Sequence, residues 1–189
     1  MAKRAHGHDT QHHHLPKNYC FACGKDNRHG MHLKFSLDEV ERKAICRFKL
    51  PRRYWGPPKH AHGGIIATIL DEAMGKVNKL RNVIALTSRI EIQYLKPVPL
   101  GEPLITEGWE QSVRGRRHIN VGEIRNAAGD VLAKGRAVFI AIDPHRKFAK
   151  HLPKSLRLGG FMSKSTAYRV PRTESSGAKN RNKMRGPKA

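Results

Sequence analysis

The sequence predicts an α+β layer fold, an antiparallel sheet of five to six strands wrapped around one long central helix. Two observations carry that expectation: an apolar run opening on Gly63-Gly64 that is long enough for a central helix, and alternating segments separated by turn strings on both sides of it. In chain order, strands are expected at 31–37 and 42–50, the second with Cys46, Phe48 and Leu50 on one face and Arg47 and Lys49 on the other. An irregular loop runs from Pro51 to Ala61. The helix follows over about 63–80, then strands near 84–95, 103–113, 117–126 and 131–142. Arg114-Gly115-Arg116 and Asn126-Ala127-Ala128-Gly129-Asp130 supply the last two turns. One helix against that many strands buries its apolar face only if the sheet curls around it.

The 189 residues suit one compact domain with tails. The net charge of +22 is uneven: residues 1–19 carry 3 basic and 1 acidic side chains, 20–144 carry 21 and 13, and 145–189 carry 13 and 1. This divides the chain into a His-rich arm at 1–18, a folded domain at 19–144 and a basic tail at 145–189. The tail is rich in Ser, Lys, Gly, Asn and Pro, so disorder is expected apart from a short amphipathic helix around Ala149 to Leu158. Weak, nonspecific polyanion contact is the expected consequence, and no recognised nucleic-acid motif accompanies the charge. No run approaches ~20 consecutive apolar residues, the length of a membrane span. The basic start Met1-Ala2-Lys3-Arg4 lacks an apolar signal region. A cytoplasmic location follows as the expectation.

The string His62-Gly63-Gly64-Ile65-Ile66-Ala67-Thr68-Ile69-Leu70-Asp71-Glu72-Ala73-Met74-Gly75 sets an acidic pair inside an apolar helix. A carboxylate there is costly unless it is paired or used, which makes Asp71 the candidate base or nucleophile, with a structural carboxylate as the alternative. At the helix start, free backbone N–H groups and the helix dipole favour a developing oxyanion. His62 stands near the N-cap there, as helix shaper or neighbour of the substrate carbonyl with a general base as the alternative, and Gly63 and Gly64 occupy the first turn, the Gly64 N–H being the candidate oxyanion donor. Eight residues separate Gly63 from Asp71, roughly 12 Å along the axis at ~1.5 Å per residue. One carbonyl cannot touch both. If both act on one substrate, a second copy must supply one of them, so catalysis here implies a two-fold dimer. Glu72 points about 100° away from Asp71. It reads as an interface or surface charge and as the second candidate acid, near the substrate.

The string resembles the central-helix signature of hotdog-fold acyl-CoA thioesterases of the phenylacetate-pathway (PaaI-like) class, in which an Asp lies nine residues after the His. The resemblance extends through Cys20-Phe21-Ala22-Cys23-Gly24, Gly30-Met31-His32-Leu33-Lys34-Phe35, Tyr54-Trp55-Gly56, the segment from Thr87 to Glu102, Gly108, and Ala133-Lys134-Gly135-Arg136-Ala137. It covers about residues 19 to 143. It implies hydrolysis of an acyl- or aryl-CoA to the free acid and CoA, by a homodimer or a dimer of dimers. No cofactor is needed, since coenzyme A enters as part of the substrate. It further implies that Thr87 helps to hold the attacking water. Strict alternation would place Thr87 with Arg89, Glu91 and Gln93, and Ser88 with Ile90, Ile92 and Tyr94. Some similar enzymes carry an Asn six residues before the His, where this chain has Gly56. Ile69, Met74 and Val77 are expected to set pocket depth. For the phosphates of CoA, the compact cation cluster is Arg114, Arg116 and Arg117, with Arg52, Arg53 and Lys59 as the alternative. Attack by water or directly by the carboxylate both remain open. Two other functions stay in play: an acyl-CoA-binding module without catalysis, and a polyanion- or RNA-associated protein acting through its tail.

Cys20 and Cys23 form a Cys-x-x-Cys-Gly string, with Cys46 as the third thiol. Structural zinc wants a second ligand pair at regular spacing, and the sequence offers none beyond scattered histidines such as His12, His13, His14, His29 and His32. A reduced turn packed at the domain edge is expected, with no metal, and structural zinc and a redox or disulfide pair are the alternatives.

Overall fold

The computed structural model describes residues 17–143. The arm before them and the tail after them, with the disorder, the tail helix and the polyanion contact expected there, lie outside the described residues. In chain order the elements are β1 (Ser36–Asp38), β2 (Lys43–Phe48), α1 (Gly63–Val77), β3 (Ala85–Tyr94), β4 (Leu104–Arg114), β5 (Arg117–Asn126) and β6 (Val131–Ala141). The six strands make one antiparallel sheet in the order β1-β2-β4-β5-β6-β3. After the helix the chain therefore crosses to the far edge as β3 and returns to pair β4 with β2. The helix lies in the hollow of that sheet, touching β2 through β6. This is the α+β architecture that the sequence predicts. Among the described residues no helix is long and apolar enough to cross a membrane.

A row of small residues lets the helix sit so close. Ala44, Gly108, Gly122 and Gly135 stand opposite one another across β2, β4, β5 and β6. A Cβ on Gly108 would lie 2.6 Å from the Ala73 carbonyl oxygen, and one on Gly135 would lie 2.9 Å from Met74 Cε. Gly108 thus admits the helix backbone itself, and Gly122 and Gly135 admit the Met74 side chain. The face that α1 turns to them, Ile66, Ile69, Leu70, Ala73, Met74 and Val77, is buried. Each large apolar side chain removed from water there contributes about 1.5–3 kcal/mol. Ile69 and Met74 are wholly inaccessible and Val77 nearly so, which makes them core and not the pocket walls expected from the sequence. Gly108→Val should destabilise the domain by roughly 3 kcal/mol, the upper part of the overpacking range, because the clash is with helix backbone and not with a mobile side chain. A urea unfolding midpoint equal to wild type would refute this packing account.

Two boundaries differ from expectation. The segment 31–37 pairs as a strand only over Ser36–Asp38. Upstream, the Met31 and Leu33 N–H groups donate to the carbonyls of Phe21 and Ala22, and His32 takes a positive φ of 54°. The alternating run is tied to the cysteine loop and not to β2. The helix ends at Val77, short of residue 80, and passes into a 3₁₀ turn over Asn78–Arg81 that Asn82 closes in the left-handed conformation. Beneath this end, Asn120 Nδ2 donates to the Met74 carbonyl at 2.8 Å, anchoring the last helical turn to β5.

Candidate active site

Asp71 lies in the third turn of α1, half-buried, where the helix passes edge strand β3. Thr87 Oγ1 donates to its Oδ1 at 2.9 Å. Among the described residues no cation pairs with this carboxylate. Burial raises its pKa above the ordinary 3.8; the Thr87 hydroxyl pulls it down, and the neighbouring Glu72 charge pushes it up further. An unpaired acid held by one hydroxyl beside an open strand is poised to accept a proton.

The contact with Thr87 depends on an irregularity in β3. Thr87 stands opposite Phe139 and Arg89 opposite Val138, so Ser88 is an extra residue, a β-bulge. The bulge resets the alternation: Thr87 turns to the helix, as do Ile92, which packs near Gly135, and Tyr94, whose hydroxyl donates to the Gly63 carbonyl at 3.1 Å. Strict alternation wrongly grouped Thr87 with Arg89, Glu91 and Gln93. Nothing in the local composition of β3 marks Ser88 as the bulge.

At the helix start, His62 is the N-cap residue, and its Nδ1 accepts the Gly64 N–H at 3.0 Å. This corrects the expectation that Gly64 offers a free donor, since the imidazole already satisfies it. Among the described residues the Gly63 N–H has no acceptor. Gly63 is the first residue of α1, with Tyr94 beside it at van der Waals distance. Gly56, in the position where similar enzymes place an amide, lies against His62. A Cβ there would come within 2.6 Å of His62 Cα, so no larger residue fits without moving the cap.

Glu72 faces away from Asp71, as its helix position requires. Its Oε1 pairs with Lys76 Nζ at 2.8 Å, and its Oε2 lies 3.8 Å from Cys20 Sγ. It belongs to the cysteine loop and not to the Asp71–Thr87 pair. Arg114, Arg116 and Arg117 flank the β4–β5 hairpin, where Arg116 Nε donates to the Ala141 carbonyl. Within one chain they are separated from β3 by β6, so the structure does not gather them around Asp71. Of the alternative cluster, Arg52 lies over the Trp55 ring at 5.3 Å and Arg53 over Tyr54 at 4.9 Å.

Residues 58–133, which span the helix and most of the sheet, match the family model described as Thioesterase superfamily. Acyl-coenzyme A thioesterase THEM4 of Xenopus laevis is 29% identical over 108 residues, covering 57% of this chain and 49% of that protein. The chain spans about half the length of the curated relatives it matches. Among solved structures, a thioesterase superfamily protein superposes with a TM-score of 0.62 at 29% identity, over 65% of this chain and 60% of that one. The PaaI protein of the Escherichia coli phenylacetic acid degradation operon shares the fold, with a TM-score of 0.55 at 20% identity over 59% of this chain and 80% of that one. Residues 58–133 are thus similar to the thioesterase superfamily, and the fold is the hotdog fold that these relatives share.

Proposed function

We propose that the domain hydrolyses the thioester of an acyl- or aryl-CoA, with Asp71 as the catalytic carboxylate and a dimer as the working unit. The observation that carries this reading is the half-buried, cation-free Asp71 held by Thr87 at 2.9 Å. In the general-base route, a water bonds to the thioester carbonyl carbon while its proton passes to Asp71. The carbonyl oxygen becomes an oxyanion. Collapse of the adduct breaks the C–S bond, the CoA thiolate takes up the proton, and the free acid leaves. In the covalent route the Asp71 carboxylate attacks the carbonyl carbon, the C–S bond breaks and the CoA thiolate leaves, and water later cleaves the anhydride to the free acid and the Asp71 carboxylate. Thr87 orients the carboxylate in both.

The oxyanion donor in this reading is the Gly63 N–H of a second copy. Along α1 it is roughly 12 Å from Asp71 of its own chain. The route by which a second copy would approach is open. β3 is an edge strand of ten residues with its outer hydrogen-bonding side unpaired among the described residues, and it exposes Leu86, Ile90 and Tyr94 by 41%, 38% and 55%. Such an edge is a template for pairing with another strand.

Thiol release over a panel of acyl-CoAs of differing length and aromaticity tests the proposal. CoA release well above that of Asp71→Asn supports it. Binding of CoA esters without release would instead define a binding module. A second expected result concerns pH. The acid limb of kcat/KM should lie above the ordinary aspartate range, because the base must be ionised and its pKa is raised. Thr87→Val removes the hydrogen bond that holds the pKa down. The limb should then move to higher pH, and the plateau rate should fall on the order of tenfold, the worth of one charge-assisted hydrogen bond. An unmoved limb would separate Thr87 from Asp71 in function.

A further inference from the structure

The cysteine loop meets the catalytic helix at a cluster that the hydrolysis does not use. The Sγ atoms of Cys20 and Cys23 and a carboxylate oxygen of Glu72 all lie within 4.8 Å of one another. We propose that these three side chains form a binding site for a thiophilic divalent cation such as Zn²⁺, clamping the loop before β1 to α1 one residue beyond Asp71.

Ligand spacing supports this first. A tetrahedral zinc with Zn–S bonds of ~2.3 Å and Zn–O bonds of ~2.1 Å has ligand-to-ligand edges of roughly 3.5–3.8 Å. Cys20 Sγ and Glu72 Oε2 are already 3.8 Å apart. The third ligand comes from the helix, 49 positions after Cys23 in the sequence, which is why spacing within the loop does not disclose it.

A cation already rests against the same atoms. Lys76 Nζ is 2.8 Å from Glu72 Oε1 and 3.0 Å from Cys23 Sγ. Its ammonium shows that positive charge is favoured there. On metal binding both thiols release their protons to solvent. Two thiolates and one carboxylate then exceed the charge of the metal by one, and Lys76 beside them neutralises the excess.

The loop is also built in advance. The Gly24 N–H donates to the Cys20 carbonyl at 2.8 Å, and Asn18 Oδ1 accepts the Cys20 N–H at 3.1 Å. A Cβ on Gly24 would meet Asn18 O, Cys20 N and Cys20 O, each at 2.5 Å. The Phe21 and Ala22 carbonyls are held by the N–H groups of Met31 and Leu33. The two sulfurs therefore need little ordering before they ligate. Three protein ligands leave a fourth position for water, on the side where Cys20 is exposed.

The test is titration of the reduced, chelator-treated full chain with Co²⁺ and with Zn²⁺ against a chromophoric chelator. His6, His8, His12, His13 and His14 are replaced by alanine throughout, so that the histidine arm does not compete. The expected result is one metal per chain, a thiolate-to-cobalt charge-transfer band, proton release on binding, and protection of Cys20 and Cys23 from alkylation. Cys20→Ser and Cys23→Ser should each weaken binding by about 100-fold and abolish the band, and Glu72→Gln should weaken it by about tenfold. Unchanged far-UV circular dichroism in each variant shows that folding is not the cause. Stoichiometric binding that survives in the Cys20→Ser, Cys23→Ser double variant, or a cobalt complex without the charge-transfer band, would overturn the site. So would alkylation of both cysteines at the same rate with and without Zn²⁺.

Discussion

Asp71→Asn should retain the fold and lose thioester hydrolysis by on the order of 100-fold or more, since a positioned general base typically supplies ~10²–10⁴. The substitution is nearly isosteric, and Thr87 can still donate to the amide oxygen, so the geometry at β3 is preserved. Stability should move the other way. The folded-state pKa of Asp71 is raised above the ordinary 3.8, chiefly by burial, so the fold favours the protonated acid. The cost of keeping it ionised is absent below 3.8, appears as pH climbs toward the raised value, and is complete at neutral pH. Asparagine never carries that cost. At pH 7 the variant should therefore melt at or above the wild-type temperature, and the gap should close in acid. A dead enzyme that is also destabilised at neutral pH would point to a structural carboxylate, and near-wild-type turnover would remove Asp71 from the mechanism.

The fold was largely legible because its signals are periodic. The apolar spacing of α1 and the alternation of β2, β4, β5 and β6 each report burial on one face, and burial is what the sheet and helix impose on one another. Asp71 stood out by the same logic, as a charge where the pattern demands an apolar neighbour. What escaped the sequence depends on pairing between distant segments. Ser88 became a bulge only through its register with β6, and that one extra residue decides which hydroxyl reaches Asp71. The His62 imidazole takes the Gly64 N–H, a choice set by a side-chain torsion that composition does not encode. Glu72 turned toward Cys20 and Lys76 because the loop before β1 folds back onto the helix, held by backbone bonds from Met31 and Leu33. Local sequence carries little trace of any of these contacts.

Gly63→Pro should abolish hydrolysis while leaving the helix intact, and the lost activity should return when the variant is mixed with Asp71→Asn. Proline is tolerated at the first helical position, where no intrahelical acceptor exists for the missing N–H. The residue before it must be extended, and His62 already is, with φ −63° and ψ 139°. Space is available too, because the nearest atoms to a Cβ on Gly63 belong to the Tyr94 ring at 3.6 Å. The substitution thus deletes one donor and little else. In a mixed dimer, the site that combines Asp71 of the proline chain with Gly63 of the asparagine chain is whole, and the other site lacks both groups. Random re-association of equal amounts makes half the dimers mixed, each with one working site of two, so about a quarter of wild-type activity per chain should reappear. If the donor and the acid worked within one chain, mixing would restore nothing. Equal activity in the proline variant alone would remove the Gly63 N–H from the reaction, and an active monomer by light scattering would remove the second copy.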